Sequence, residues 1–190
     1  MEPTTEVLAT KKDEDLMLDV QRGDPDAFRV LFDRHQRPLF GFVYRQIPDI
    51  QHTESIVQDS FLRMLRNASA YRYPEHFTTW LYTIARNLCI DFRRKKGAFA
   101  PSLSEAVESV TPSRAEDPLL AAEGDEEAAR LHAAISELPE IYREVILLRV
   151  FDKMPFKQIS QITQCPESTV RSRMSYALNM LRKKLVPQGH

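Results

Sequence analysis

The chain has 190 residues, with 26 basic and 27 acidic side chains and a formal net charge of −1, a length that suits one or two small domains. Five glycines among strong helix formers point to an all-α fold. No stretch approaches the roughly 20 apolar residues of a membrane span, the N-terminus lacks an apolar signal core, and Cys89 and Cys165 have no metal-ligand spacing, so a cytoplasmic protein with two free thiols is expected.

Residues 1–12 are polar and are expected to form a disordered tail. A helix is predicted from Asp13 to Arg22, with Leu16, Met17 and Val20 inward. Gly23-Asp24-Pro25 stops it, and Asp24 suits the N-cap of the next helix, which Pro38 should kink or divide. A third helix spans about Thr53 to Asn67, with Ile56, Phe61, Leu62, Met64 and Leu65 offering core faces. The loop Ala68–Glu75 carries Tyr71, Arg72, Tyr73 and Pro74. A long helix from Phe77 to Lys96 then places Trp80, Leu81, Ile84, Leu88 and Phe92 at core spacing. Arg86, Asn87 and the run Arg93, Arg94, Lys95 and Lys96 decorate the rest, more cations than a helix dipole calls for, and the surplus suggests phosphates.

Residues 97–124, rich in serine, proline and acids and without sustained period, are read as an acidic flexible linker. Helical patterning resumes from Glu126 to Leu138, carried by Ala129, Leu131 and Ile135, and Pro139 opens a further helix containing Tyr142, Val145, Ile146, Leu148 and Val150. Phe156, Ile159 and Ile162 mark a short helix; Val170, Met174, Ala177, Leu178, Leu181 and Leu185 mark the inward stripe of a longer one. The four residues Thr163 to Pro166 between them complete a helix-turn-helix, with Gln164 near the place where the turn wants a left-handed φ. From Phe151 to Pro187 there are seven bases against two acids. Ser168, Thr169, Arg171, Ser172, Arg173 and Tyr176 supply donors for phosphates and base edges at the end of the helix that enters a major groove. Arg171 and Arg173 stand about 200° apart on it, so one should face the groove floor and the other a phosphate or the domain.

Two separated stretches, TESIVQDSFLRMLRNASAYRYPEHFTTWLYTIARNLCIDFRRKK and ELPEIYREVILLRVFDKMPFKQISQITQCPESTVRSRMSYALNMLRKKL, together resemble a bacterial sigma factor of the extracytoplasmic-function (ECF) group of the sigma-70 family. The likeness covers about residues 15–96, as region 2, and 125–186, as region 4, with motifs FTTWLYTIARNLCIDFRRKK and ESTVRSR that are fairly specific as a pair. It implies two small helical domains, 13–96 and 125–187, that bind core RNA polymerase and promoter DNA. It implies a polymerase-gripping surface at Glu54, Gln58, Asp59, Phe61 and Arg63 for the β′ coiled coil, with a further contact to the β flap. Here Ser55 stands where the family often has Asp, which shifts that contact toward Glu54 and Asp59. It implies capture of the non-template strand at the −10 element by Tyr71, Arg72, Tyr73, Arg86, Asn87, Arg93 and Arg94, which suits rings that stack on an unpaired base and cations that hold backbone. It implies −35 reading by Lys157, Ser168, Thr169, Arg171, Ser172, Arg173 and Tyr176, and regulation by an anti-sigma factor.

The five histidines are scattered, no glycine-rich phosphate loop occurs, and no carboxylate or cysteine set has ligand spacing, so neither an enzyme nor a cofactor or metal protein is expected. An ordinary helix-turn-helix regulator would explain residues 138–186 equally well, but not the aromatic and basic features of 71–96. A helical scaffold or polymerase-binding protein without DNA specificity is a further alternative, and replacing Arg171 and Arg173 separates it, since a scaffold should keep its activity.

Overall fold

The computed structural model describes residues 3–98 and 126–185, and every regular element among them is helical. They divide into two compact units, one of the residues up to Arg93 together with Ser160–Gln164, the other of the remaining residues. The stretch read as a linker lies outside the described residues, except that the helix preceding it continues through Gly97 to Ala98.

The first unit contains α1 (Pro3–Thr10), α2 (Asp13–Gln21), α3 (Pro25–Gln46), α4 (Ile50–Arg66) and most of α5 (Phe77–Ala98). The expected disordered tail is corrected by α1. Leu8 is buried, α1 lies on α3, and Arg34 of α3 donates to the carbonyls of Ala9 and Lys11 at 2.6 and 2.9 Å. One buried side chain and a guanidinium on its terminal carbonyls hold a helix too short to persist alone. As the sequence indicated, Leu16, Met17 and Val20 of α2 face inward, and the Asp24 carboxylate caps α3 by accepting from the Asp26 and Ala27 amides. Pro38 does not divide α3, whose buried side chains Leu31, Leu39, Phe42 and Val43 hold it on both sides of the missing N–H. Phe42 packs on Tyr82 of α5, ring centroids 4.9 Å apart.

The buried stripe of α4 is Thr53, Ile56, Val57, Ser60, Phe61 and Met64, the i, i+3, i+4, i+7, i+8, i+11 pattern of one helix face. Leu62 and Leu65, expected inward, are instead exposed, because each sits one residue, about 100°, beyond a stripe position.

Asp13 ties α2 to α3, accepting from Arg34 at 2.6 Å and pairing with His35 at 2.7 Å. Burial opposes its ionisation, but His35 and Arg34 outweigh it and hold the carboxyl below its ordinary 3.8. A depressed acid contributes stability above its unfolded pKa and loses it as pH falls through the lowered folded value. Asp13→Asn is therefore expected to flatten the loss of stability below pH 3.8 relative to the wild type, as read by thermal melts across the acid range.

The second unit contains α6 (Glu126–Ser136), α7 (Glu140–Ile146), a π turn over Leu147–Phe151, the first half of α8 (Phe156–Thr163) and α9 (Glu167–Leu185). Ala134, Ile135, Leu138, Ile146, Leu147, Ala177 and Leu181 form its core, with Tyr142, Phe151, Met174 and Met180 packed around them. Several apolar side chains fall off the buried stripes by part of a turn. In α6, Ala134 and Ile135 are buried while Ala129 and Leu131 are exposed. Val150 is exposed because the wider π turn takes it off the stripe that α7 begins. In α9, Leu178 lies about 100° from the buried Ala177, and Leu185 closes the helix at its exposed last position.

The turn between α8 and α9 places Gln164 at φ 53°, the left-handed conformation the sequence pattern asked for. Gln164→Gly is expected to raise stability by about 0.5–1 kcal/mol, relief of left-handed strain less the extra chain entropy glycine loses. A shift of the denaturant midpoint at constant slope measures it.

Candidate nucleic-acid interfaces

Helix α9 turns Val170, Ala177 and Leu181 into the core, and this fixes what its outer side presents. Ser168, Arg171, Ser172 and Tyr176 are exposed, while Thr169 and Arg173 are half-buried beside them. The Ser172 and Ser175 hydroxyls donate back to the carbonyls of Ser168 and Arg171, at 3.0 and 3.2 Å, leaving their oxygens as acceptors. Arg171 is held on two sides. It pairs with Glu167 at 2.5 Å, and its guanidinium lies 4.5 Å from the centroid of the Phe156 ring. Arg149 sits against the same ring at 4.9 Å and donates to the Met154 carbonyl. Lys157 is exposed on α8, and Arg182, Lys183 and Lys184 end α9, Lys184 paired with Glu137. The two arginines do occupy different surroundings, Arg171 outward and Arg173 partly covered.

The second basic region starts where α4 ends. A short 3₁₀ turn, Ala68–Ala70, leads into residues 71–76 and then α5. Here the two tyrosines part ways. Tyr71 is 2% exposed, its ring packs against Trp80 with centroids 5.4 Å apart, and its hydroxyl donates to the Glu75 carbonyl. Burial, with the carboxylates of Glu14 and Glu75 nearby, pushes its phenol above the usual value. The expectation that Tyr71 stacks on a base is corrected: its ring is buried against Trp80. Tyr73 is 57% exposed and is the ring this loop offers to solvent. Arg72 closes the loop by donating to the Ser69 carbonyl at 2.7 Å. On α5, Asn87 and Arg94 are exposed, Arg86 is half-buried, and Arg93 donates to Gln46 at 3.2 Å.

On α4, Glu54, Gln58, Asp59 and Arg63 are all exposed. Phe61, placed by resemblance with them, is corrected to the core: it is 2% exposed and packs on Phe32 and Phe28, at 4.8 and 6.3 Å between ring centroids. Among the apolar side chains of α4, Leu62 and Leu65 stand on the outer side, with Ile50 exposed at the helix's first residue. The two leucines were missed because their type suggests core; only their offset from the buried stripe distinguishes them. Among the described residues no group of metal-ligating side chains occurs, and no helix is long and apolar enough to cross a membrane.

A short helix, a tight turn and a longer helix with exposed donors on its outer side make the helix-turn-helix of a DNA-binding protein. Residues 31–99 match Sigma-70 region 2, and residues 128–181 match Sigma-70, region 4. The chain is 32% identical to the RNA polymerase sigma-H factor of Pseudomonas aeruginosa, over 95% of its own length and 97% of that protein's. It is 31% identical to the ECF RNA polymerase sigma factor SigW of Bacillus subtilis, over 87% and 92%. It therefore belongs to the ECF group of the sigma-70 family: a sigma factor, which directs RNA polymerase to promoters and is not an enzyme. Among solved structures, the sigma factor RpoE in complex with the anti-sigma factor NepR from Bartonella quintana matches with a TM-score of 0.67 at 21% identity, covering 85% of this chain and 98% of that one. CnrH in complex with the cytosolic domain of CnrY matches with a TM-score of 0.70 at 20% identity, over 93% and 99%. At such identities what is shared is the fold.

Proposed function

We propose that the two units divide promoter recognition between them on core polymerase, with residues 13–96 acting as region 2, 97–124 as the connector and 125–187 as region 4. The observation that carries this is the outer side of α9, where Ser168, Arg171, Ser172 and Tyr176 stand exposed above a buried Val170, Ala177 and Leu181. That side enters the major groove of the −35 element, flanked by Lys157, Thr169 and Arg173. Tyr73 stacks on an unpaired base of the −10 element, while Arg72, Arg86, Asn87, Arg93 and Arg94 line the path of its backbone. Glu54, Gln58, Asp59 and Arg63 grip the β′ coiled coil, with Leu62 and Leu65 as the apolar part of that contact; region 4 meets the β flap.

Two weak contacts joined by a connector raise each other's effective concentration, so joint occupancy exceeds either alone. Trapping a base that has left the stack stabilises melted DNA, which opens the promoter without any bond being hydrolysed. The protein works in the cytoplasm, where polymerase and chromosome are, and answers a stress or envelope signal. An anti-sigma protein holds it inactive, a reading supported by the two structural neighbours, both solved with such a partner or with a cytosolic domain bound.

Sequencing the transcripts made in vitro by core enzyme plus this protein tests the reading and yields the promoter. Start sites that core enzyme alone does not use, sharing elements near −35 and −10, are the expected result. A helix-turn-helix regulator would bind duplex DNA yet give no such transcripts.

A further inference from the structure

The loop between α4 and α5 is gripped at both ends by one helix. Gln21, the last residue of α2, donates from Nε2 to the Ala68 carbonyl at 2.7 Å and to the Tyr71 carbonyl at 3.1 Å. At the far end, Glu14 in the first turn of α2 accepts from the Phe77 amide at 3.4 Å and faces His76 Nδ1 at the same distance. Its carboxylate thereby sits at the N-terminus of α5, where the helix dipole favours it. Gln21 stands seven positions along the helix from Glu14, a rigid spacer of about 10 Å.

The spacer is itself fixed. Leu16 and Met17 are fully buried, and Asp13 is bound to Arg34 and His35 of α3. The middle of the loop is pinned by the Tyr71 ring on Trp80. Arg72, Tyr73, Pro74, Glu75 and His76 are left exposed as the tip.

We propose that α2 is the positioning element of this loop, with Gln21 and Glu14 clamping its two ends so that Tyr73 is presented in one arrangement before DNA arrives. The inference rests on the reading of Tyr73 as the base-capturing ring. Neither Gln21 nor Glu14 touches DNA; each acts through the loop. Ordering the loop in advance removes an entropy cost that capture of a flipped base would otherwise carry.

The test uses the full chain. In Gln21→Ala, backbone amides of residues 68–76 are expected to exchange with solvent about fivefold faster, as for the loss of one ordinary hydrogen bond, while amides in α3 and α4 keep their rates. With core polymerase, open-complex formation on a duplex promoter should fall by about the same factor, and competition for core enzyme should be unaffected. Glu14→Ala should behave alike, and Glu14→Gln, which keeps an acceptor oxygen, should recover most of the loss. Because the clamp works through Tyr73, Gln21→Ala combined with Tyr73→Ala should be no worse than Tyr73→Ala alone. Loop amides that exchange at the wild-type rate, or losses that multiply in the double variant, overturn the proposal. Faster exchange together with a Tyr73→Ala protein that opens promoters normally overturns the base-capture role instead, since the clamp is then real and its purpose is not.

Discussion

Alanine at Tyr71 and alanine at Tyr73 are expected to give opposite phenotypes, although the two side chains are separated by a single residue. Tyr71→Ala removes a ring that is 2% exposed and packed on Trp80, so it should cost about 3–5 kcal/mol of stability, the range for deleting a large buried aromatic. Tyr71→Phe keeps the ring and loses only the bond to the Glu75 carbonyl, at a cost of about 1 kcal/mol. Tyr73→Ala, on a side chain 57% exposed, should leave stability within about 0.5 kcal/mol of wild type. Its effect belongs to function: loss of one stacked base is worth about 1–3 kcal/mol, a fall of roughly 5- to 150-fold in open-complex formation. Chemical denaturation of both variants, beside open-complex assays of Tyr73→Ala with core polymerase, separates the roles. A Tyr73→Ala protein that unfolds early, or a Tyr71→Ala protein as stable as wild type, would show that the loop is packed differently.

That pair also shows where the sequence stops being informative. The order of helices, the break at Gly23-Asp24-Pro25, the left-handed Gln164 and the buried Val170, Ala177 and Leu181 all follow from local chemistry: caps, turn residues and periodicity act over a few neighbours. Tyr71 against Tyr73 does not, because two tyrosines in one loop have the same composition and no period to assign a face. What decides is Trp80 and the Gln21 side chain some 50 residues away, which are tertiary facts. Phe61, Leu62 and Leu65 repeat the lesson on a helix. Three apolar residues in one stretch all look inward, yet only the one in register with Ile56, Val57 and Met64 is buried. The helix at Pro3–Thr10 was illegible for a related reason: its support is a guanidinium from α3, and nothing in its own polar sequence announces that.

The same dependence on surroundings separates Arg171 from Arg173. Spacing alone put them on different sides of α9 without saying which one reads a base. Arg171 is exposed among Ser168 and Ser172, and its guanidinium is already oriented by Glu167 and the Phe156 ring. A guanidinium fixed in advance gives up less freedom on forming the two bonds that a guanine edge accepts. Arg171→Ala is therefore expected to lose about 1–3 kcal/mol of discrimination at one −35 position, while binding to unrelated duplex changes little. Arg173→Ala should weaken binding to all sequences alike and lower the slope of log affinity against log salt by about 1, the signature of one lost phosphate contact. Lys183→Ala at the basic end of α9 should do the same without touching specificity. Phe156→Leu supplies the control for orientation: it removes the ring beneath Arg171 while keeping an apolar side chain on α8, and should reproduce part of the specificity loss. Titrating holoenzyme on −35 sites with single base changes, at several salt concentrations, reads all four. Specificity lost with Arg173 and retained without Arg171 would mean that the helix enters its groove turned by about half a revolution from the orientation argued here.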